Sequence, residues 1–96
     1  NDVPGELKGR YAQAALGRFE LDFDGGQGFV TYRRAGDVVT LLHAEVPPAL
    51  EGRGHGSRLV RATLEQLRSE GARVVPVCSF VVRYFERHPE YRVLLA

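Results

Sequence analysis

Val46-Pro47-Pro48-Ala49-Leu50-Glu51-Gly52-Arg53-Gly54-His55-Gly56-Ser57-Arg58-Leu59-Val60 is the stretch on which the reading of this chain turns. An apolar run over residues 38–46 enters it, two prolines stop that run, three glycines alternate through a turn, and a helical pattern leaves. Glycines at alternate positions let backbone approach a ligand where a Cβ would block it. The first N–H groups of a helix have no internal partner and sit at the positive end of its dipole. A strand, a glycine turn and a helix start together make an anion site, with phosphate as the usual occupant. The bland alternative is a tight connection with no ligand, although three glycines cost more conformational entropy than a plain turn requires.

Working outward, residues 18–23 alternate, with Phe19, Leu21 and Phe23 on one side and charged residues on the other, which predicts a half-buried strand. Asp24-Gly25-Gly26 is a turn signal, residues 28–33 read as the second strand of a hairpin, and Ala35-Gly36-Asp37 turns again into a third strand over 38–46. Downstream, Leu59, Val60, Thr63, Leu64 and Leu67 recur at helical spacing from Ser57, Arg61 and Glu65 stand four apart as a weak pair, and Glu70-Gly71 supplies a stop. Residues 73–77 are a short β-branched strand in which Pro76 implies an edge or a bulge. Strand, helix, strand is a crossover, so this fourth strand should lie parallel to the third. Residues 80–87 read as a second helix ended at His88-Pro89, and Tyr91, Val93, Leu94 and Leu95 as a short strand or packed tail. Residues 1–15 are weakly patterned, with 11–15 readable as a helical turn or a lead-in to a strand, and some of them are expected to be loosely ordered. The expectation is one α/β domain over 1–96: an antiparallel meander, then a parallel β-α-β crossover and a second helix.

Composition narrows the function. Thirteen basic and twelve acidic residues give a net charge of +1, which speaks against a dedicated nucleic-acid surface built on Arg53, Arg58, Arg61 and Arg68. No apolar run approaches the roughly 20 residues that span a bilayer, and no signal-peptide pattern opens the chain. Cys78 is the only cysteine, so no internal disulfide forms, and a reducing cytoplasm is the expected compartment. Three histidines and one cysteine lack zinc spacing, so no metal is expected. Two familiar phosphate loops do not fit. Gly56 is followed by Ser57-Arg58 rather than the Lys-Ser/Thr of a P-loop, and the dinucleotide fingerprint needs a different glycine spacing and an acidic end to the next strand.

Val46-Pro47-Pro48 followed by Gly52-Arg53-Gly54-His55-Gly56-Ser57 resembles the acetyl-CoA pyrophosphate loop of the GNAT superfamily of N-acetyltransferases, usually written Gln/Arg-x-x-Gly-x-Gly/Ala. Its two glycines fall on Gly54 and Gly56, and Glu51 stands where the motif has Gln or Arg. His43-Ala44-Glu45-Val46, the glycine turn, Val75-Pro76-Val77-Cys78-Ser79-Phe80 and His88-Pro89-Glu90-Tyr91 follow in an order that resembles the very small, single-domain YjdJ-type branch. The resemblance implies a minimal GNAT-like fold in which the strands before and after the first helix splay apart and the pantetheine arm lies between them. It implies a pyrophosphate held by backbone N–H groups from Arg53 through Gly54, His55 and Gly56 to Ser57, with an N–H near Val46 polarising the thioester carbonyl.

Cys78 ends the fourth strand just before a helix, where the resemblance brings the thioester. A helix N-terminus can lower a thiol's pKa; the alternative is a small buried apolar residue. His43 and Glu45 share a strand face and are two candidate bases, each with an ordinary structural reading beside it. His55 is expected to offer its backbone rather than its ring, and His88 to be structural at a helix C-terminus. Phe80, Tyr84 and Phe85 read as core, with Tyr84 also a candidate to line the cofactor groove. The expected activity is acetyl transfer from acetyl-CoA to a small-molecule or protein amine, with Cys78 as nucleophile or as general acid. A CoA or acyl-CoA-binding module with little turnover is the alternative. No nucleic-acid or membrane partner is expected, and the chain should be a monomer or weak homodimer.

Overall fold

The computed structural model describes residues 15–96, so the expectation of loose order over residues 1–15 falls almost wholly outside the described residues. β1 (Ala15–Phe23), β2 (Gly26–Ala35) and β3 (Val38–Glu45) form the meander; the first two are longer than the alternation suggested, and the third stops one residue short of Val46. Two-residue turns at Asp24-Gly25 and Gly36-Asp37 set the hairpin registers, Phe23 opposite Gly26 and Ala35 opposite Val38. α1 (His55–Ser69) then crosses to β4 (Arg73–Pro76), and the sheet order is β1-β2-β3-β4 with β4 parallel to β3. α2 (Ser79–Arg87) and a 3-10 turn over Pro89–Leu94 follow. Leu95 makes a single parallel bridge to Val74 on the far side of β4, so among the described residues no full ladder closes the strand that carries Pro76.

α1 forms where its apolar stripe recurs, and Leu59, Val60, Thr63, Leu64 and Leu67 are all buried. The one polar member, Thr63, returns its hydroxyl to the Leu59 carbonyl at 2.9 Å and so buries no unpaired donor. The helix ends as its sequence proposes. Gly71 takes a left-handed φ of 71°, and the Ala72 and Gly71 N–H groups close back on Leu67 and Arg68, a Schellman ending. The weak pair expected between Arg61 and Glu65 gives way to other partners. Glu65 accepts the Tyr91 hydroxyl at 2.5 Å and lies 3.8 Å from Arg68, because the C-terminal turn packs over that face of the helix.

One core joins the layers: Val30, Val39 and Leu41 from the sheet, Leu59, Leu64 and Leu67 from α1, Val81 and Phe85 from α2. Both helices therefore cover the same sheet face. On the other face, residues such as Leu16, Val38, His43 and Glu45 are exposed, and among the described residues no element lies over them. No helix among the described residues is long and apolar enough to cross a membrane.

Candidate functional site

The site grows from an interruption in β3. Tyr32 pairs with Leu41 but Thr31 pairs with His43, so Leu42 has no partner and forms a β-bulge. Up to Leu41, odd-numbered residues of β3 point into the core; beyond the extra residue the phase is reversed. Ala44 packs toward the core, whereas His43 and Glu45 project from the open face. They meet there, with His43 Nε2 3.1 Å from Glu45 Oε1 and both side chains 57% exposed.

Just before the bulge the sheet forks. β3 and β4 pair only from Val38 with Arg73 to Leu41 with Pro76. The Leu41 carbonyl then accepts two N–H groups, from Val77 at 3.0 Å and Cys78 at 3.2 Å, and the chain turns off into α2. β3 continues to Glu45 with β2 on one side and, among the described residues, no strand on the other. A cleft of about 410 Å³ opens beside this free edge. Ala44, Glu45 and Val46 form one wall, and Gly52, Gly54, Gly56 and Ser57 of the glycine turn form another. Phe80, Leu59 and Glu51 complete it.

The glycine turn leads into a helix start that has no side-chain cap. Gly54 is the N-cap of α1 with φ 78°, and Gly52 has φ 80°, conformations that cost an L side chain about 1–2 kcal/mol. No side chain caps the helix, and its first internal bond runs from the Arg58 N–H to the Gly54 carbonyl at 3.2 Å. The N–H groups of His55, Gly56 and Ser57 precede that bond and have no intrahelical acceptor. Gly56 allows close approach: a Cβ there would come within 2.8 Å of the Phe80 ring. His55 packs its ring against Phe23, with centroids 4.5 Å apart and planes tilted by 41°, and takes Arg58 Nη1 against its Nδ1. These features fit the pyrophosphate of a CoA-type ligand. The Glu51 carboxylate at the same wall works against an anion.

The residues singled out from the sequence are thus partly gathered. Glu45, Val46, Gly54, Gly56 and Ser57 line the cleft. Arg53 is exposed at the tip of the turn. Cys78 is half-buried at the crotch of the fork as the N-cap of α2 and makes no side-chain capping bond. His43 stands on the open face beside Glu45. Tyr84 is 5% exposed, stacked on His88 at 4.1 Å and beside Tyr91, and burial pushes its phenol pKa up. It packs in the core rather than along the cleft wall. Phe80, read from the sequence as core, instead lines the cleft and is 36% exposed. Its place in the first turn of α2, directly after the fork, is the signal that marks it. Among the described residues no group of three or more His, Cys, Asp or Glu is arranged to hold a metal.

The forked mixed sheet with a glycine turn feeding the crossover helix is the arrangement that the resemblance to the GNAT superfamily implies, and the comparison by sequence agrees. Residues 18–94 match the family described as GCN5-related N-acetyl-transferase. The chain belongs to that family. Among solved structures it is similar to a GCN5-like putative N-acetyltransferase from Staphylococcus aureus, at 23% identity and TM-score 0.65, covering 88% of each chain. It is also similar to the ribosomal-protein-S18-alanine N-acetyltransferase from Escherichia coli, at 19% identity and TM-score 0.62. That match covers 75% of this chain and 50% of the other, so this chain spans about half the length of the Escherichia coli enzyme. At these identities the likeness to the two structures is one of fold.

Proposed function

We propose that the protein transfers an acetyl group from acetyl-CoA to an amine. The observation that carries this reading is the set of uncapped N–H groups at His55, Gly56 and Ser57, placed across one cleft from the free edge of β3. The first suits a pyrophosphate; the second offers backbone groups to an extended amide-bearing arm, in the manner of an added strand. Bound acetyl-CoA supplies the activated acyl group.

The remaining work falls to this chain's side chains. Glu45, at the cleft wall and paired with His43, takes a proton from the acceptor ammonium so that its nitrogen can attack. An N–H near Val46 polarises the thioester carbonyl. Cys78, at the crotch of the fork, either protonates the departing thiolate or attacks first. In the covalent variant, His43 accepts the thiol proton, a new carbon–sulfur bond forms on Cys78 as CoA thiolate leaves, and the amine then displaces Cys78.

A CoA-binding module with little turnover is the second reading, favoured by one observation: of the three candidate catalytic side chains only Glu45 lines the cleft. One set of measurements separates these readings. CoA binds the parent protein, and Gly56→Val, whose side chain drives into the Phe80 ring, weakens that binding at least tenfold in calorimetry. Incubation with acetyl-CoA and a panel of amines yields acetylated product by mass spectrometry; binding without product sinks the enzymatic reading. An acetyl adduct on the parent that is absent from Cys78→Ser selects the covalent variant. No adduct, with activity kept in Cys78→Ser, removes it.

A further inference from the structure

On the open sheet face, the strand registers line up one row across three strands: Glu20 opposite Phe29, and Phe29 opposite Glu45. Side chains so paired stand about 5 Å apart at Cβ. The neighbouring row is Arg18, Thr31 and His43. The Arg18 guanidinium lies over the Phe29 ring, 3.8 Å from its centroid, and its Nε is 3.3 Å from a Glu20 carboxylate oxygen. An aromatic floor between two carboxylates is the chemistry that holds an organic cation. The cation held there now is the chain's own.

We infer that Glu20, Phe29 and Glu45 form the docking site for the acceptor of the reaction proposed above, a lysine side chain presented by a polypeptide, and that Arg18 occupies this site until the acceptor displaces it. The inference rests on that acetyltransferase reading. A primary ammonium on an aliphatic stem matches the row, with methylenes on the Phe29 ring and nitrogen between the carboxylates. Glu45 belongs both to this row and to the cleft wall, so a nitrogen drawn to it stands beside the cleft. His43, 3.1 Å from Glu45 and with its ring centroid 6.2 Å from that of Phe29, is placed to pass the proton on. A polypeptide is the source that fits because no element among the described residues rises over this face. A partner surface can lie along the row and carry the lysine stem, whereas a free polyamine brings several ammonium groups to a row that holds one cation between its two carboxylates.

The test is a titration followed by NMR on the ¹⁵N-labelled full chain. The probes are the peptide acetyl-Gly-Lys-Gly-amide, the same peptide with norleucine in place of lysine, and spermidine. The lysine peptide should shift the Arg18 side-chain Nε and the Phe29 and Glu45 amides. Arg18→Ala, which removes the competing cation, should tighten its binding about threefold, and Phe29→Leu should weaken it by a similar factor. Equal binding of the norleucine peptide, or no tightening in Arg18→Ala, overturns the site. Tighter binding of spermidine than of the lysine peptide overturns the polypeptide source. A parallel titration with CoA reads the amides of His55, Gly56 and Ser57. Shifts there without lysine binding would reject the acceptor site alone, and their absence would reject the acetyl-CoA reading.

Discussion

Tyr91 donates its hydroxyl to Glu65 at 2.5 Å and anchors the C-terminal turn on α1. The hydrogen bond to Glu65, followed by burial, pushes its pKa up from the ordinary value of 10.0. The folded state thus favours the neutral phenol, and this stabilisation is complete below pH 10 and is lost as the pH rises through the higher folded pKa. Tyr91→Phe should cost about 1–2 kcal/mol in urea unfolding at neutral pH, with the difference from the parent shrinking above pH 10. A difference that holds constant into the alkaline range would refute this account. The same scale shows what single residues reveal from sequence. The exposed backbone at Gly54 and the N-terminal N–H groups after it follow from residue type alone, since only glycine takes φ 78° without strain. The role of Phe80 does not follow, because an aromatic on an amphipathic helix looks like core until a cleft is seen beside it.

Between elements, the Arg34–Glu70 pair joins β2 to the end of α1 at 2.6 Å, and Gln66 adds a second bond to the same carboxylate at 2.8 Å. Burial would raise the Glu70 pKa, but the hydrogen bonds from Arg34 and Gln66 and the Arg34 charge outweigh it and hold the carboxyl below 4.5. A lowered folded pKa means stability that is present above the unfolded value and lost as the pH falls through the folded one. Glu70→Gln should therefore lower stability by about 0.5 kcal/mol at pH 7, and the deficit should shrink as the pH falls below 4.5 and vanish once the carboxyl is protonated in the folded state. A deficit that persists there would assign the effect to packing instead. The bulge at Leu42 belongs to this scale too. The β1–β2 register, and with it the pairing of Glu20 with Phe29, can be counted from the two-residue turn at Asp24-Gly25. The β2–β3 register can be counted from Gly36-Asp37 only as far as Leu41. One extra residue then reverses the phase, and nothing in the local pattern of Leu41-Leu42-His43 announces it.

At the largest scale, the described residues form two layers with one sheet face uncovered among them, and the cleft is walled by both halves of the fold. A ligand bound across the end of β3, the glycine turn and the start of α2 binds the native state alone. CoA at one hundred times its dissociation constant should therefore stabilise the protein by about 2.7 kcal/mol, raising the melting temperature by roughly 10–20 °C for a domain of this size. Scanning calorimetry with and without CoA checks this, and an unchanged melting temperature would contradict binding across those elements.

The sequence by itself determined the order of the strands and α-helices, the parallel crossover, the glycine turn between β3 and α1 and the resemblance to acetyltransferases. Each rests on local physics: alternation, helical spacing, turn chemistry and backbone freedom. Only the tertiary structure decided which groups share a site. It turned His43 and Glu45 onto the open face, set Cys78 at the crotch of the fork, put Tyr84 in the core and Phe80 at the cleft. Those placements depend on a bulge and on the point where two strands part, and both arise from packing between segments distant in the chain.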